Sequence, residues 1–327
     1  MPAVDVYGLR VEWRAPALPR DPVARLLGGF AASTANGTAD VTIRIEPDRG
    51  VLDASGFRPS FFQGNVRALQ RRGALLLVTP GARVLVAHDG GRIDVEGDIA
   101  GLDPRGFAGT TLFIALSIAL RHWGLFHLHG GALIRGDGLR VLVLGDSGAG
   151  KSTVTLSLLD EGARHLGDDA LFLTERAGRA TLLAFPRPFH LGDATAAAFP
   201  ALTRGEHDAS GKGEVPLEAL PWNLAPEMAP PDVVLFPCVT VEPDTRVVTT
   251  GPAEAFGRAL ASCALVAADG VARPAEQLRL IGALVDRACS YEVRMGSDWL
   301  ADVGQASALV RRECLPPSVD GPPRPTR

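Results

Sequence analysis

Val141-Leu142-Val143-Leu144-Gly145-Asp146-Ser147-Gly148-Ala149-Gly150-Lys151-Ser152 is the stretch that decides the fold class. Its first four residues read as a buried strand, and the eight that follow fit G-x-x-x-x-G-K-[ST] at every position. Thr153 to Leu159 then read as an amphipathic helix, opened by Lys151 and running to about Glu161, with Gly162 as its stop. Strand, glycine-rich turn and helix in that order make a phosphate cradle. Glycines let backbone N–H groups approach phosphate oxygens, and the helix N-terminus adds partial positive charge. In such a loop Lys151 neutralises the β- and γ-phosphates and the Ser152 hydroxyl coordinates Mg²⁺. Gly145, Asp146, Ser147, Gly148, Ala149, Gly150, Lys151, Ser152 and Thr153 are therefore the candidate nucleotide-binding residues.

Composition sharpens that match. Of 33 basic residues only Lys151 and Lys212 are lysine, so a lysine in the motif runs against the chain's usage. Seventeen residues beyond Lys151 comes Leu166-Gly167-Asp168-Asp169-Ala170. A helix over 151–161 carries the chain roughly 15 Å from the phosphates. Five extended residues from Arg164 bring it back by roughly 16 Å. Asp168 and Asp169 are thus expected beside the loop, one to ligate Mg²⁺ and one to accept a proton. Which does which is open, and a cap or turn at a strand start is the alternative for both.

GDSGAGKS followed by GDD, with His129-Gly130 upstream, resembles the catalytic domain of bacterial HPr kinase/phosphorylase and its related proteins. The resemblance covers about residues 125–175, extends more weakly to about 265, and does not include 1–100. It implies an α/β fold: a P-loop nucleotide-binding domain of the HPr kinase and phosphoenolpyruvate carboxykinase type, with a mixed sheet. It also implies ATP and Mg²⁺ as cofactors, transfer to a serine or threonine hydroxyl, and a histidine near the transferred phosphate. His129 matches that histidine, a buried hydrogen-bonded side chain being the alternative. The sequence departs from the family where its usual Glu is Thr153, and where Phe185-Pro186-Arg187-Pro188-Phe189 replaces the glycine-rich signature that engages HPr. HPr itself is therefore not carried over as substrate. Arg187, just past a strand, and Lys212, in Ser210-Gly211-Lys212-Gly213-Glu214, are further candidates for phosphate or peptide contact. A structural arginine and a solvated loop lysine are the alternatives.

The rest of the chain supplies no second motif. Residues 1–100 read as a β-rich α+β region: Val41, Ile43 and Ile45 alternate, Ala74–Thr79 and Arg83–His88 are apolar runs, and Asp89-Gly90-Gly91 turns into Ile93–Glu96. Asp21-Pro22 and Asp103-Pro104 each signal a capped helix, the second running through Leu120. Strands are expected over His165–Leu173, Ala180–Phe185, Asp232–Pro237, Val239–Glu242 and Tyr291–Met295. Helices are expected near 252–266, 273–290 and 298–312. The domain boundaries expected are 1–100, 101–315 and a disordered proline-rich tail over 316–327.

Bulk properties exclude other classes. With 46% apolar residues, 21% charged and mean hydropathy +0.13, wholesale disorder is ruled out. A net charge of −4 argues against a nucleic-acid binder. The greasiest segment, Thr111 to Leu120, is half the length of a membrane span, and Met1 to Trp13 has no signal-peptide core, so a cytoplasmic protein is expected. Cys238, Cys263, Cys289 and Cys314 form no C-x-x-C pair and read as mostly buried thiols. The activity expected is an ATP- and Mg²⁺-dependent kinase acting on a peptide or protein hydroxyl. A small-molecule kinase and a nucleotide-binding or ATP-hydrolysing regulatory module are the rivals. A dicarboxylate site of the carboxykinase kind has no support, and the oligomeric state is open, a homo-oligomer included.

Overall fold

Patterning and caps account for most of the elements. The computed structural model describes residues 1–314, except 19, 35–36, 48–49, 203–204, 206, 208–210 and 264–271. Much of the segment 203–214 around Lys212, and all of the expected tail, lie outside the described residues. The chain forms two compact units, Met1–His127 with Ala264–Leu278, and Leu128–Cys263 with Arg279–Arg327. α/β content is mixed and several sheets are present.

In the first unit the strands are β1 (Ala3–Val6), β2 (Leu9–Arg14), β3 (Val41–Glu46), β4 (Arg58–Gln63), β5 (Val66–Arg71), β6 (Ala74–Thr79), β7 (Ala82–Val86) and β8 (Arg92–Gly97). They make one eight-stranded sheet in the order β1-β2-β3-β8-β7-β6-β5-β4. In β3, Val41, Ile43 and Ile45 are buried while Arg44 and Glu46 are exposed, the period-2 pattern expected of a half-buried strand. Helix α1 (Pro22–Leu27) is capped by Asp21, whose carboxylate accepts from Val23 N and Ala24 N. Asp103 caps a short turn, α2 (Pro104–Gly106), in the same way. The chain then passes through a π-helical turn (Phe107–Leu112) into α3 (Phe113–Arg121), so the helix expected from Asp103 to Leu120 is interrupted by wider hydrogen bonding. Every residue of α3 is buried, and it packs on β7 and β8. The greasy run is therefore a core helix. No helix among the described residues is long and apolar enough to cross a membrane.

From Phe126 onward the strands are β9 (Phe126–Leu128), β10 (Gly130–Ile134), β11 (Arg140–Leu144), β12 (Arg164–Gly167), β13 (Leu171–Arg176), β14 (Arg179–Ala184), β15 (Phe189–Leu191), β16 (Gly213–Val215), β17 (Asn223–Leu224), β18 (Glu227–Met228), β19 (Val233–Val239), β20 (Arg246–Thr249) and β21 (Cys289–Met295). Interleaved are α4 (Lys151–Leu158), α5 (Asp193–Ala198), α6 (Pro252–Ala261), α7 (Pro274–Val285), α8 (Asp298–Ala301) and α9 (Val303–Cys314). The second unit is built on a seven-stranded mixed sheet, β17-β12-β10-β11-β19-β21-β20. β11, β19 and β21 run parallel, and β10 is antiparallel to both β11 and β12. Leu133, Val141, Val143, Val154, Leu156 and Leu158 share one core, which holds α4 on the sheet. A helix of eight residues would be marginal alone, so this packing decides its stability.

Several boundaries differ from the sequence reading. α4 ends at Leu158 rather than Glu161, because Leu159 is already extended (φ −70, ψ 115). The strand expected over His165–Leu173 is two strands, β12 and β13, broken at Asp168-Asp169. Conversely, the two strands expected between Asp232 and Glu242 are one, β19, whose pairing with β21 runs unbroken from Val233 to Val239. The cysteines divide evenly: Cys263 and Cys314 are buried, whereas Cys238 and Cys289 are exposed, because each lies at a terminus or near the end of its strand.

Candidate functional site

The loop between β11 and α4 is bent by its glycines. Gly150 has φ +98, and a Cβ there would lie 2.5 Å from Met295 Sδ, so an L side chain meets both strain and a clash. This close approach seats the loop over the carboxyl ends of β19 and β21, the strand ends where α/β sheets place ligands. Gly131 plays the corresponding part on the other side: its Cβ would lie 2.4 Å from Thr155 Oγ1, which lets β10 press against α4.

Lys151 is buried, and its Nζ donates to the Asp146 carbonyl at 2.9 Å, so the ammonium lies over its own loop. Ser152 Oγ donates to Asp168 Oδ2 at 2.6 Å, tying the start of α4 to the end of β12. Asp168 Oδ1 is buried and has no hydrogen-bond partner among the described residues. Asp169 lies 3.7 Å from Lys151 Nζ and 3.6 Å from His129 Nε2 through Oδ1.

The strand break explains how adjacent carboxylates reach one loop. In a regular strand, successive side chains point to opposite faces. Asp169 instead adopts φ +76, a left-handed conformation that Asp tolerates better than most residues. Its N–H donates to Gly130 O at 3.1 Å, and its carbonyl meets His129 Nδ1 at 3.1 Å. A carbonyl only accepts, so Nδ1 carries the proton in that contact and Nε2 of the neutral ring is left as an acceptor. His129 N in turn donates to Ser262 O at 2.8 Å, fixing the segment before β10.

Charge is distributed unequally. Burial, then the neighbouring Asp169 charge, pushes the Asp168 carboxyl up to about 7 against the Ser152 hydroxyl, Lys151 and Lys212. Burial also acts to raise Asp169, but His129, Lys151, Lys212 and Arg187 outweigh it and hold that carboxyl below its ordinary range. His129 is lowered, chiefly by burial. Arg187, half-buried, is lowered by burial against the pull of Asp169, Asp168 and Glu214.

The residues singled out in the sequence thus fall into one neighbourhood, with one exception in role. The Thr153 hydroxyl is bonded to Thr195 Oγ1 at 2.8 Å, so its side chain faces α5 and leaves only its backbone to the loop. Arg187 and Lys212 both act on the acid pair's charge, and the β15–β16 pairing of His190 with Glu214 brings their segments together. Thr195, Ser262 and Met295 support the site and carry no sequence signal, since each acts through a local contact.

No family model matches the chain. It is 30% identical over 89 residues to an HPr kinase/phosphorylase of Chlorobium phaeobacteroides (strain BS1). That stretch is 27% of this chain and 26% of the relative, so the match spans about a quarter of each protein. Among solved structures, an HPr(Ser) kinase/phosphatase from Coxiella burnetii covers 57% of this chain and 97% of its own, at 12% identity and a TM-score of 0.27. A TM-score that low carries no weight for the fold. Partial sequence similarity to HPr kinase/phosphorylase is what stands.

Magnesium fits the residues present. A cation of this kind takes one or two carboxylates and leaves its other positions to substrate phosphates and water. Ser152 Oγ, Asp168 and Asp169 converge at the start of α4, and the buried Asp168 Oδ1 lacks a partner among the described residues. Among the described residues no group of three or more His, Cys, Asp or Glu is placed to cage a metal by itself.

Proposed function

We propose that the protein is an ATP- and Mg²⁺-dependent phosphotransferase acting on a serine or threonine hydroxyl of a peptide or protein. The observation that carries this reading is the Ser152–Asp168 hydrogen bond at the mouth of the glycine-rich loop, with Lys151, Asp169 and His129 around it. Phosphoryl transfer asks a protein mainly for positioning and charge neutralisation. Backbone N–H groups of 145–150 and Lys151 would hold the phosphates, and Ser152 with Asp168 would hold Mg²⁺. Bound there, the cation supplies charge neutralisation at the β- and γ-oxygens. Asp169, kept ionised by its cationic neighbours, would accept the hydroxyl proton, and Nε2 of His129 would lie close to that exchange. Arg187 and Lys212 would add positive charge on the acceptor side. The partial likeness to HPr kinase/phosphorylase supports a polypeptide acceptor. The departures at Thr153 and 185–189 argue against HPr as that acceptor.

Lys151→Ala is the decisive test. The variant should melt as the wild type does, within a few degrees, but lose ATP-analogue binding and phosphate transfer to Ser-containing peptides. Unchanged affinity and turnover would remove the proposal. Transfer to small hydroxyl compounds but to no polypeptide would promote a small-molecule kinase, and release of inorganic phosphate alone a hydrolytic regulator.

A further inference from the structure

The β-rich unit holds a concave site, remote in sequence from the loop. A cleft of about 900 Å³ opens between Arg58 at the start of β4, Gln70 and Arg71 at the end of β5, the turn at Arg72-Gly73, and His88 after β7. Three guanidinium groups and an imidazole line it, and no carboxylate does among the described residues. In a chain of net charge −4, that is a local reversal of sign.

Arg71 is already oriented. Its guanidinium lies 4.4 Å from the centre of the Phe57 ring and donates to Ser55 O at 3.1 Å, so little freedom remains to be lost on binding. The carboxylates whose charges act on these groups are engaged elsewhere. Asp53, which feels Arg71, accepts from Ser55 N, and Asp89, beside His88, accepts from Gly91 N. Gln70, opposite Arg58 in the β4–β5 register, carries a buried Oε1 with no partner among the described residues.

From these features we infer that the cleft binds an acidic, extended polypeptide segment. Separate guanidinium groups across an open cleft reward a ligand with several separate negative charges. Alternate residues of an extended chain lie roughly 7 Å apart on one side, which supplies that spacing. No Phe, Tyr or Trp lines the cleft among the described residues, so the stacking platform typical of single-stranded nucleic-acid sites is missing. The inference deepens the proposed function by giving a polypeptide substrate a docking segment, and rests on that function only for the class of partner.

Fluorescence anisotropy on the full chain without nucleotide tests it, with a labelled alternating Glu-Ala decapeptide and its Gln-Ala counterpart as probes. The Glu peptide should bind at least about tenfold more tightly at about 50 mM salt, and lose that advantage as salt screens the charges. Arg58→Gln with Arg72→Gly should weaken it by about tenfold or more. Arg72 has φ +50, so glycine there relaxes the turn and the variant should keep its melting temperature. Arg14→Gln with Arg44→Gln, exposed on β2 and β3, should change affinity by less than about twofold. Lys151→Ala should bind the peptide as the wild type does, which separates failure of the cleft from failure of the phosphate loop. Equal binding of the Glu and Gln peptides by the wild type would overturn the inference, whatever the variants do. Wild-type affinity in Arg58→Gln/Arg72→Gly would overturn it too. Displacement of the probe by pyrophosphate or an oligo-dT strand at lower concentration than by unlabelled Glu peptide would reassign the cleft to that ligand.

Discussion

Two carboxyls adjacent in sequence titrate in opposite directions because burial wins at one and charge at the other. At Asp168, 2% exposed, burial and the Asp169 charge outweigh the Ser152 hydroxyl, Lys151 and Lys212, whereas at Asp169 the groups His129, Lys151, Lys212 and Arg187 outweigh burial. The Asp168 carboxyl has a folded-state pKa of about 7 against an ordinary 3.8, so it contributes stability that is full below about pH 4 and lost as pH rises through about 7. Asp169 has the opposite sign, and its contribution disappears only in acid below 3.8. His122, His129 and His165 are all lowered from 6.5, so they add stability as pH rises through that value, opposite in sign to Asp168. The difference in melting temperature between the wild type and Asp168→Asn, measured with a chelator from about pH 4 to about 8, cancels the histidines and reports Asp168. Relative to Asp168→Asn, the wild type should lose stability as pH rises across that window. Parallel slopes for the two proteins would show that Asp168 is already ionised. With Mg²⁺ and ATP present, Asp168→Asn and Asp169→Asn should each reduce turnover by roughly 10²–10⁴-fold. Excess Mg²⁺ should recover part of the loss for Asp168→Asn and none for Asp169→Asn.

At the scale of elements, the loop depends on what lies beneath it. Gly150→Ala adds a methyl 2.5 Å from Met295 Sδ at φ +98, so it should cost about 1–3 kcal/mol and weaken nucleotide binding. Met295→Ala in the same chain should restore the part due to the clash and leave the part due to φ. Full restoration would mean that the backbone conformation costs nothing. The strand, loop and helix were legible because their sequence signals are local: four apolar residues, glycines at fixed offsets, and a lysine in a chain with only two. The caps at Asp21 and Asp103 were legible for the same reason. What the sequence hid were effects of neighbours. The break of the expected 165–173 strand depends on Gly130 O and His129 holding Asp169, both about 40 residues away in sequence. The continuity of β19 depends on β21, and the loss of the Thr153 side chain to Thr195 depends on where α5 lands. Periodicity within a window carries none of these.

At the scale of the molecule, the first unit is assembled from two separate segments of the chain. Residues 264–278 belong with Met1–His127, although the second unit has by then been largely traced. Helix α3 belongs with the first unit as well, and that has a measurable consequence. Phe113, Ile114, Leu116, Ile118 and Leu120 are each at most 6% exposed, and α3 packs on β7 and β8. A fragment beginning at residue 101 keeps the helix and loses both strands. Each large apolar side chain so uncovered forfeits roughly 1.5–3 kcal/mol of burial, and five of them approach the whole stability of a typical domain. The fragment 101–327 should therefore be largely insoluble or bind a hydrophobic dye strongly, even though its phosphate loop is intact. Co-expression of residues 1–100 should return it to the soluble fraction, because the missing sheet is what the helix lacks. A monomeric 101–327 fragment with a sharp melt would show that α3 finds other cover. If the fragment does aggregate, lost activity after removal of 1–100 says nothing about substrate recruitment. Point substitutions such as Arg58→Gln and Arg72→Gly, which leave the sheet in place, then become the means of separating recruitment from folding.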